Sequence, residues 1–358
     1  MPEKSRTMLP CQRREVRWTM TTHDPLSDVL RSVRLRSSVF FLMSCRDEWA
    51  ALAPGAQTIG PAVMPGAEHV IEYHMFVKGG GWVAIEGEPP LRLNEGDIVM
   101  LPHGDAHVVS SAPGIAPIKK DDEAVMDRIC SGLKPIPMTY RGGACQVGVG
   151  LPRDDAETVV VCGFIACDLK PFNPLVDALP RMLHLPAQEV GAWVAPMLEH
   201  AAAETESTRA GSSALLQRVS ETVFVDGARR YLDRLPAEAT GWLGALRDRQ
   251  VGRAITLMHE SPADPWTMED LGRRVGLSRS ALHERFVVLA GVPPMQYLTN
   301  WRMQCGARLL REGHANVASI ALDVGYDSEA AFSRAFKRAT GMPPATWRKA
   351  QKPSFATA

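Results

Sequence analysis

His74, His107, Cys162 and Cys167 together offer two imidazoles and two thiolates. That donor set suits tetrahedral zinc and, through its soft sulfur, disfavours magnesium or calcium. On a regular strand residues 162 and 167 differ in parity and point to opposite faces. A shared site therefore needs a bulge or turn near Gly163. Three readings stand: a closed zinc site of structural or sensory kind, a redox thiol pair, and plain core. In the last, His107 caps a turn and the two cysteines are small buried apolar residues. Cys45, Cys130 and Cys145 have no partner pattern, and Cys305 falls in the core of a helix.

The elements that would carry the histidines and cysteines are short β-rich runs. Val39–Met43, Val70–Val77, Trp82–Ile85, Ile98–Leu101, His107–Ser110 and Val159–Ile165 alternate with turns such as Lys78-Gly79-Gly80-Gly81 and Leu93-Asn94-Glu95-Gly96. Many short strands at near-regular spacing predict a sandwich or barrel. Ser111 to Tyr140 reads as a loop with a charged insert at Lys119–Glu123. Ahead of the strands, Asp24-Pro25 predicts an N-cap and first-turn proline for a short helix through Val33. After Pro174 the periodicity becomes helical: Leu215, Val219 and Val223 fall four apart, with Gly211-Ser212-Ser213 ahead of them. A stretch rich in Ala, Glu, Thr and Ser, Ala201 to Gly211, separates that helix from an earlier one. Residues 1–23 read as a disordered tail, with Met20 a second candidate start.

Composition narrows the class. The 358 residues are 45% hydrophobic and 22% charged, so the chain is globular, and long enough for two or three domains. Seven cysteines at irregular spacing argue against an extracellular disulfide framework. No apolar run approaches the ~20 residues of a membrane helix and no secretory signal opens the chain, which points to the cytoplasm. The net charge of zero hides an asymmetry: from Ala245 onward 16 Lys+Arg face 10 Asp+Glu, whereas residues 1–244 carry 24 against 30. A basic C-terminal third suggests nucleic acid as its partner.

Two helical hairpins lie in that basic third. In TMEDLGRRVGLSRSALHERF, Thr267 and Asp270 cap the first helix, and Gly272 is the small residue at the helix crossing. Gly276 makes the turn, Ser278 caps the second helix, and Leu282 and Phe286 face inward. In VASIALDVGYDSEAAFSRAFKR, Ile320, Ala321, Val324 and Gly325 repeat those roles, Asp327 or Ser328 caps, and Phe332 and Phe336 face inward. Pro294 to Arg311 reads as one helix between them. Gly291-Val292-Pro293-Pro294 and Gly341-Met342-Pro343-Pro344 place the same stop signal behind both second helices.

This region resembles the AraC/XylS family of bacterial transcription regulators over about 100 residues, most specifically in GYDSEAAFSRAFKRATGMPPATWR. The resemblance implies two recognition helices about one DNA turn apart, entering successive major grooves. Its groove-facing positions fall on Arg279, Ser280, His283, Glu284 and Arg285 in the first unit, and on Glu329, Ala330, Ser333 and Arg334 in the second. Lys337 and Arg338 fall near phosphates. Arg334 is the foremost candidate for a base contact, since a guanidinium can grip guanine bidentately. Glu284 beside a phosphate chain is repulsive, so it reads cytosine or faces solvent. Ala330 and Ser333 offer few hydrogen bonds. Upstream, GDIVMLPHGDAHVVSS fits the second cupin motif through Gly96, Pro102, Gly104 and His107. The first motif keeps only His69, Glu72 and His74 ahead of the Gly79–Gly81 turn.

The resulting expectation is an α+β chain. A tail (1–23) precedes a cupin-like β-barrel sensor (24–174), a helical linker and dimerisation region (175–244), an all-α double helix-turn-helix domain (245–350) and a second tail (351–358). The expected function is a one-component transcription regulator, activator or repressor, that binds double-stranded DNA as a homodimer. Its barrel senses a small molecule, metal or oxidant, with zinc as the candidate cofactor, and controls DNA binding or contact with RNA polymerase. Two alternatives remain: a cupin-type metal-dependent oxygenase with a helical appendage, and a regulator whose barrel only dimerises.

Overall fold

The computed structural model describes residues 23–120, 122–131, 135–152, 154–189, 211–236, 238–313 and 315–351. The expected N-terminal tail up to residue 22, the Ala/Glu/Thr/Ser-rich stretch up to residue 210 and the helix expected just before it, and the tail from residue 352 lie outside the described residues. Helix α1 (Pro25–Ser32) begins where the Asp24 side chain accepts the Leu26 N–H, with Pro25 in the first turn.

Eleven strands follow among the described residues: β1 (Arg36–Cys45), β2 (Ala50–Ala53), β3 (His69–Lys78), β4 (Gly81–Ile85), β5 (Leu91–Leu93), β6 (Ile98–Leu101), β7 (His107–Ser110), β8 (Ile136–Arg141), β9 (Ala144–Val147), β10 (Thr158–Cys167) and β11 (Leu183–Leu185). They form a seven-stranded sheet, β11-β6-β3-β10-β1-β8-β9, facing a four-stranded sheet, β2-β7-β4-β5. Helices α2 (Ala56–Val63) and α3 (Asp122–Cys130) lie against each other and place Ile59 and Val125 over the space between the sheets.

The stretch read as a loop, Ser111 to Tyr140, contains α3 and β8. Val125 and Ile129, four apart, bury one side of that charged helix. Pro135 and Pro137 mask the alternation of β8, which runs parallel to β1. β2, β5, β9 and β11 are three or four residues long, too short to announce themselves by period. β11 also interrupts the region read as wholly helical, pairing with β6.

Both faces of the large sheet are covered, so alternate residues of a strand enter different cores. All ten residues of β10 are buried. Val160, Cys162 and Phe164 join Val70 and Phe76 of β3 between the sheets. Val161, Ile165 and Cys167 join Ile71, Tyr73 and Met75 on the other side, beneath the helices. Gly163 is needed where it stands: a Cβ there would lie 2.3 Å from the Tyr73 hydroxyl oxygen. That hydroxyl bonds to Ser220 Oγ at 2.6 Å on helix α5 (Ser212–Arg234).

Helix α4 (Pro174–Ala178) joins this second core, and α5 lies along β1 with Leu216, Val219, Val223, Phe224 and Ala228 buried. The apolar stripe expected on α5 is thus largely spent within the chain, with Leu215 left exposed at its start. The remaining helices are α6 (Trp242–Arg247), α7 (Arg249–Glu260), α8 (Met268–Val275), α9 (Arg279–Ala290), α10 (Pro294–Glu312), α11 (Val317–Asp323), α12 (Glu329–Thr340) and α13 (Pro344–Gln351). Their core is continuous with the helical face of the sheet. The architecture is a β-rich cupin domain, a helical linker and an all-α helix-turn-helix domain, α+β overall. Among the described residues no helix is long and apolar enough to cross a membrane.

Polar groups fasten the two ends of the chain together. Fully buried Gln304 on α10 donates to the Ser32 carbonyl at 3.0 Å and accepts the Phe172 N–H at 3.1 Å. Asp168 receives two bonds from Arg34, at 3.0 and 3.1 Å, and pairs with Arg311 of α10, which also donates to the Ser32 carbonyl at 2.7 Å. Side chains of Asp168 and Arg311 are each only 9% exposed. Removing one partner of such a pair leaves an uncompensated buried charge, at ~3–5 kcal/mol. Asp168→Ala is therefore expected to lower the urea midpoint of the full chain by about that free energy. A change below about 1 kcal/mol would show that water already compensates the two guanidinium groups.

Candidate functional site

Between the sheets, β3 aims Glu72 and His74 inward at two-residue spacing, and β7 opens with His107. A turn through Gly104, at φ +70°, returns the chain to His107; a Cβ on this glycine would meet Ala56 Cβ at 2.4 Å. His107 Nδ1 faces the Asp105 carbonyl at 2.8 Å. A carbonyl only accepts, so Nδ1 carries the hydrogen and Nε2 presents a lone pair inward. That lone pair lies 2.5 Å from His74 Nε2, while His74 Nδ1 lies 3.0 Å from Cys162 Sγ. The neutral assignment that satisfies every member has the Cys162 thiol donating to His74, His74 donating to His107, and His107 donating to Asp105.

Glu72 Oε2 sits 3.8 Å from His107 Nε2, and Glu72 Oε1, fully buried, has no hydrogen-bond partner. Burial pushes the Glu72 carboxyl up to about 8 against a smaller opposing pull from Lys120. It drives His74 well below the usual imidazole value and His107 down to about 4. Burial thus disfavours charge on all three groups, two imidazoles and a carboxyl whose ligand atoms lie within 4.8 Å of one another. Two His and one Glu can hold a metal with an open position left for another ligand. The orphaned carboxylate oxygen is the observation that fits a cation here. Alongside lies a cavity of about 50 Å³ lined chiefly by Phe41, Met43, Met138, Tyr140, Phe164 and Cys162.

Of the four expected ligands, the structure brings together His74, His107 and Cys162 but not Cys167. β10 keeps unbroken alternation against β3 from Val160 to Cys167. The register shift beside Gly163 falls instead on β1, between Val39 and Phe41. Cys167 therefore points into the helical core, where Asn173 Nδ2 approaches its sulfur at 3.9 Å. Neither a four-ligand His/Cys centre nor a Cys162–Cys167 thiol pair can form across the sheet. Glu72 takes the place of Cys167. Its signal was the Glu72-x-His74 spacing, which puts both side chains on one strand face.

The second candidate site is the outer face of the helical domain. Thr267 caps α8, Gly276 ends it at φ +74°, and Ser278 caps α9. Gly272 is held against the turn, since a Cβ would lie 2.6 Å from the Leu277 carbonyl oxygen. Ser328 caps α12, and Phe332 and Phe336 bury its inner side. On α9, Arg279, Ser280, His283, Glu284 and Arg285 are exposed. Arg279 pairs with Glu269 at 3.1 Å and Arg285 donates to Asp248 at 2.5 and 3.0 Å. On α12, Glu329, Ala330, Arg334, Lys337 and Arg338 are exposed and Ser333 is half-buried. Arg249, Arg253, Arg274 and Arg285 surround an open groove at the Gly276 turn. The first two went unnoticed in the sequence because they precede the motif. Nineteen-residue α10, roughly 28 Å long at 1.5 Å per residue, separates the units by nearly one DNA turn.

A cupin family model matches residues 24–233, and a helix-turn-helix domain model matches residues 271–350. A putative AraC-like transcription regulator of Streptomyces lividans is 32% identical over 91% of this chain and 98% of its own length. The regulator AlkR of Acinetobacter baylyi is 26% identical over 91% of this chain and 99% of its own. Among solved structures, the DNA-binding domain of the global transcriptional factor AdpA, in complex with a target DNA, is 29% identical over 29% of this chain and 92% of that chain, at a TM-score of 0.28. These relatives are transcription regulators, which sets aside the oxygenase alternative. The chain belongs to the AraC-type helix-turn-helix transcription regulators that carry an N-terminal cupin domain.

Proposed function

We propose that the barrel is the sensing site of this regulator, and that what binds beside His74 controls how the double helix-turn-helix domain engages DNA or RNA polymerase. The observation that carries this is the opposite orientation of consecutive residues on β3. His74 belongs to the buried cluster, while Tyr73 crosses Gly163 to Ser220 on α5, in the core continuous with the DNA-binding domain. A bound ligand that displaces β3 against β10 shifts the packing of α5, and so the population competent for DNA.

A metal ion of the zinc type, held by Glu72, His74 and His107, is the proposed occupant of the cluster. Bound there, it supplies fixed positive charge and an open coordination position. The protein residues do the rest: His107 is oriented by the Asp105 carbonyl, and His74 links the cluster to Cys162. In the expected result, full-length protein purified without chelator contains about one metal ion per chain by elemental analysis, and Glu72→Gln and His107→Ala each lose it. A metal-free protein with both variants folded would leave the cavity to a small organic ligand.

On the DNA side, Arg334 reads a base while Lys337 and Arg338 contact phosphate. The arginine groove around Gly276 follows the backbone at the first unit. The second unit carries the freer cations, because Arg334, Lys337 and Arg338 hold no ion pair among the described residues. The active form is proposed as a cytoplasmic homodimer whose contact surface is not the buried stripe of α5. For an operator recovered by selection from random DNA, Arg334→Ala is expected to cost ~1–3 kcal/mol at one base position. Lys337→Ala should weaken all sequences alike and reduce the salt slope by ~1. Uniform loss with Arg334→Ala, read by fluorescence anisotropy, would reassign it to phosphate.

A further inference from the structure

His74 has two working faces. Its Nε2 side meets His107 and the Glu72 carboxyl, nitrogen and oxygen donors of hard or borderline character. Its Nδ1 side meets sulfur: Cys162 Sγ at 3.0 Å, which in turn lies 3.4 Å from Met43 Sδ. These three donors come from adjacent strands. His74 of β3 is the direct cross-strand partner of Cys162 on β10, and Met43 of β1 lies diagonally beside Cys162, opposite Val160. All three line the same cavity, as does Met138, the neighbour of Met43 on β8.

We infer that the sulfur side of this cluster, His74 Nδ1, Cys162 Sγ and Met43 Sδ, is a binding site for a soft monovalent metal ion, copper(I). The inference rests on the reading of the barrel as the sensing site and names the chemistry of its effector. Thiolate and thioether donors select copper(I) over the harder divalent ions. A single thiolate also matches a single positive charge. The neutral copper–thiolate unit avoids the cost of lodging net charge in an apolar cavity, which a divalent ion on the same three donors would incur. Binding replaces the thiol hydrogen: Cys–SH and Cu⁺ give Cys–S–Cu and a proton released to solvent, with no change of oxidation state. Imidazole Nδ1 and the Met43 thioether complete three-coordination, and the cavity beside them leaves room for the ion.

The test uses full-length protein carrying Cys11→Ser and Cys130→Ser, the latter removing the exposed thiol among the described residues, under anaerobic reducing conditions with the chromophoric chelator bicinchoninate as competitor. One copper(I) per chain is expected, with about two sulfur and one nitrogen neighbour in its X-ray absorption spectrum. Cys162→Ser is expected to abolish binding and Met43→Leu to weaken it at least tenfold, while Cys167→Ser, on the opposite face of β10, leaves it within twofold. Copper with only nitrogen and oxygen neighbours, or binding unchanged in Cys162→Ser, overturns the inference. The sulfur variants are checked for folding by their DNA affinity without metal. Should copper bind as expected and leave operator affinity and transcription in vitro unmoved, the sensing reading fails while the copper site stands. If copper does not bind but another barrel ligand shifts DNA affinity, the inference fails and the sensing reading stands.

Discussion

Everything in this molecule hangs on two neighbouring strands with no solvent side. β3 and β10 run through the middle of the seven-stranded sheet, covered by the small sheet on one face and by helices on the other. Side-chain direction alternates with a period of two, so each core receives every second residue and a slip of one would exchange their contents. His74 and Tyr73 are consecutive yet serve different halves of the protein. Gly163 makes this possible, because the Tyr73 ring occupies the space that a larger residue would fill. What enters the barrel and what holds α5 are therefore separated by the thickness of one backbone.

The polar groups that fasten the sensor to α10 differ from the barrel cluster, although Asp28 Oδ2, His259 Nδ1 and Trp301 Nε1 on the helical side also lack a hydrogen-bond partner. Asp168 is matched by Arg34 and Arg311, and Gln304 uses both its oxygen and its nitrogen on backbone partners. These groups are satisfied and tie the sensor to α10. Glu72 is equally buried, yet one of its oxygens has no partner and its carboxyl is pushed up to about 8 by desolvation. Desolvation also holds both imidazoles neutral. A cation arriving at the cluster would supply what Glu72 lacks.

The helical domain was legible in the sequence because its signals are local. Caps at Thr267, Ser278 and Ser328, left-handed turns at Gly276 and Gly325, and inward pairs four residues apart each announce themselves within one or two turns of helix. The longer strands of the barrel were legible, and so were the four-residue β6 and β7, which the Gly96–His107 motif marks. β8 was hidden by prolines, and β2, β5, β9 and β11 are short and carry no such motif. At the barrel cluster, parity already counted against Cys167, whereas Glu72 stood in the sequence only as part of the incomplete first motif. What the sequence could not reveal is which strands are neighbours. The approach of Cys162 to His74, and of Met43 to Cys162, follows from β1, β10 and β3 lying side by side, a pairing between segments far apart in the chain.

The two helix-turn-helix units are built alike but differ in charge. In the first, Arg279 and Arg285 are held by Glu269 and Asp248, so a phosphate or base must replace an existing partner. In the second, Arg334, Lys337 and Arg338 carry no such pairs among the described residues, so the contacts proposed for them need no such exchange. The electrostatic gain on meeting DNA is consequently larger for the second unit, while base discrimination there is limited by Ala330 and Ser333, which offer little hydrogen bonding. α12 thus leaves its proposed base reading to Arg334, whereas the arginines of α9 are partnered. The sensor bears on both, because Arg311 and Gln304, through which it is fastened, lie on α10, the helix that fixes the distance between the two units.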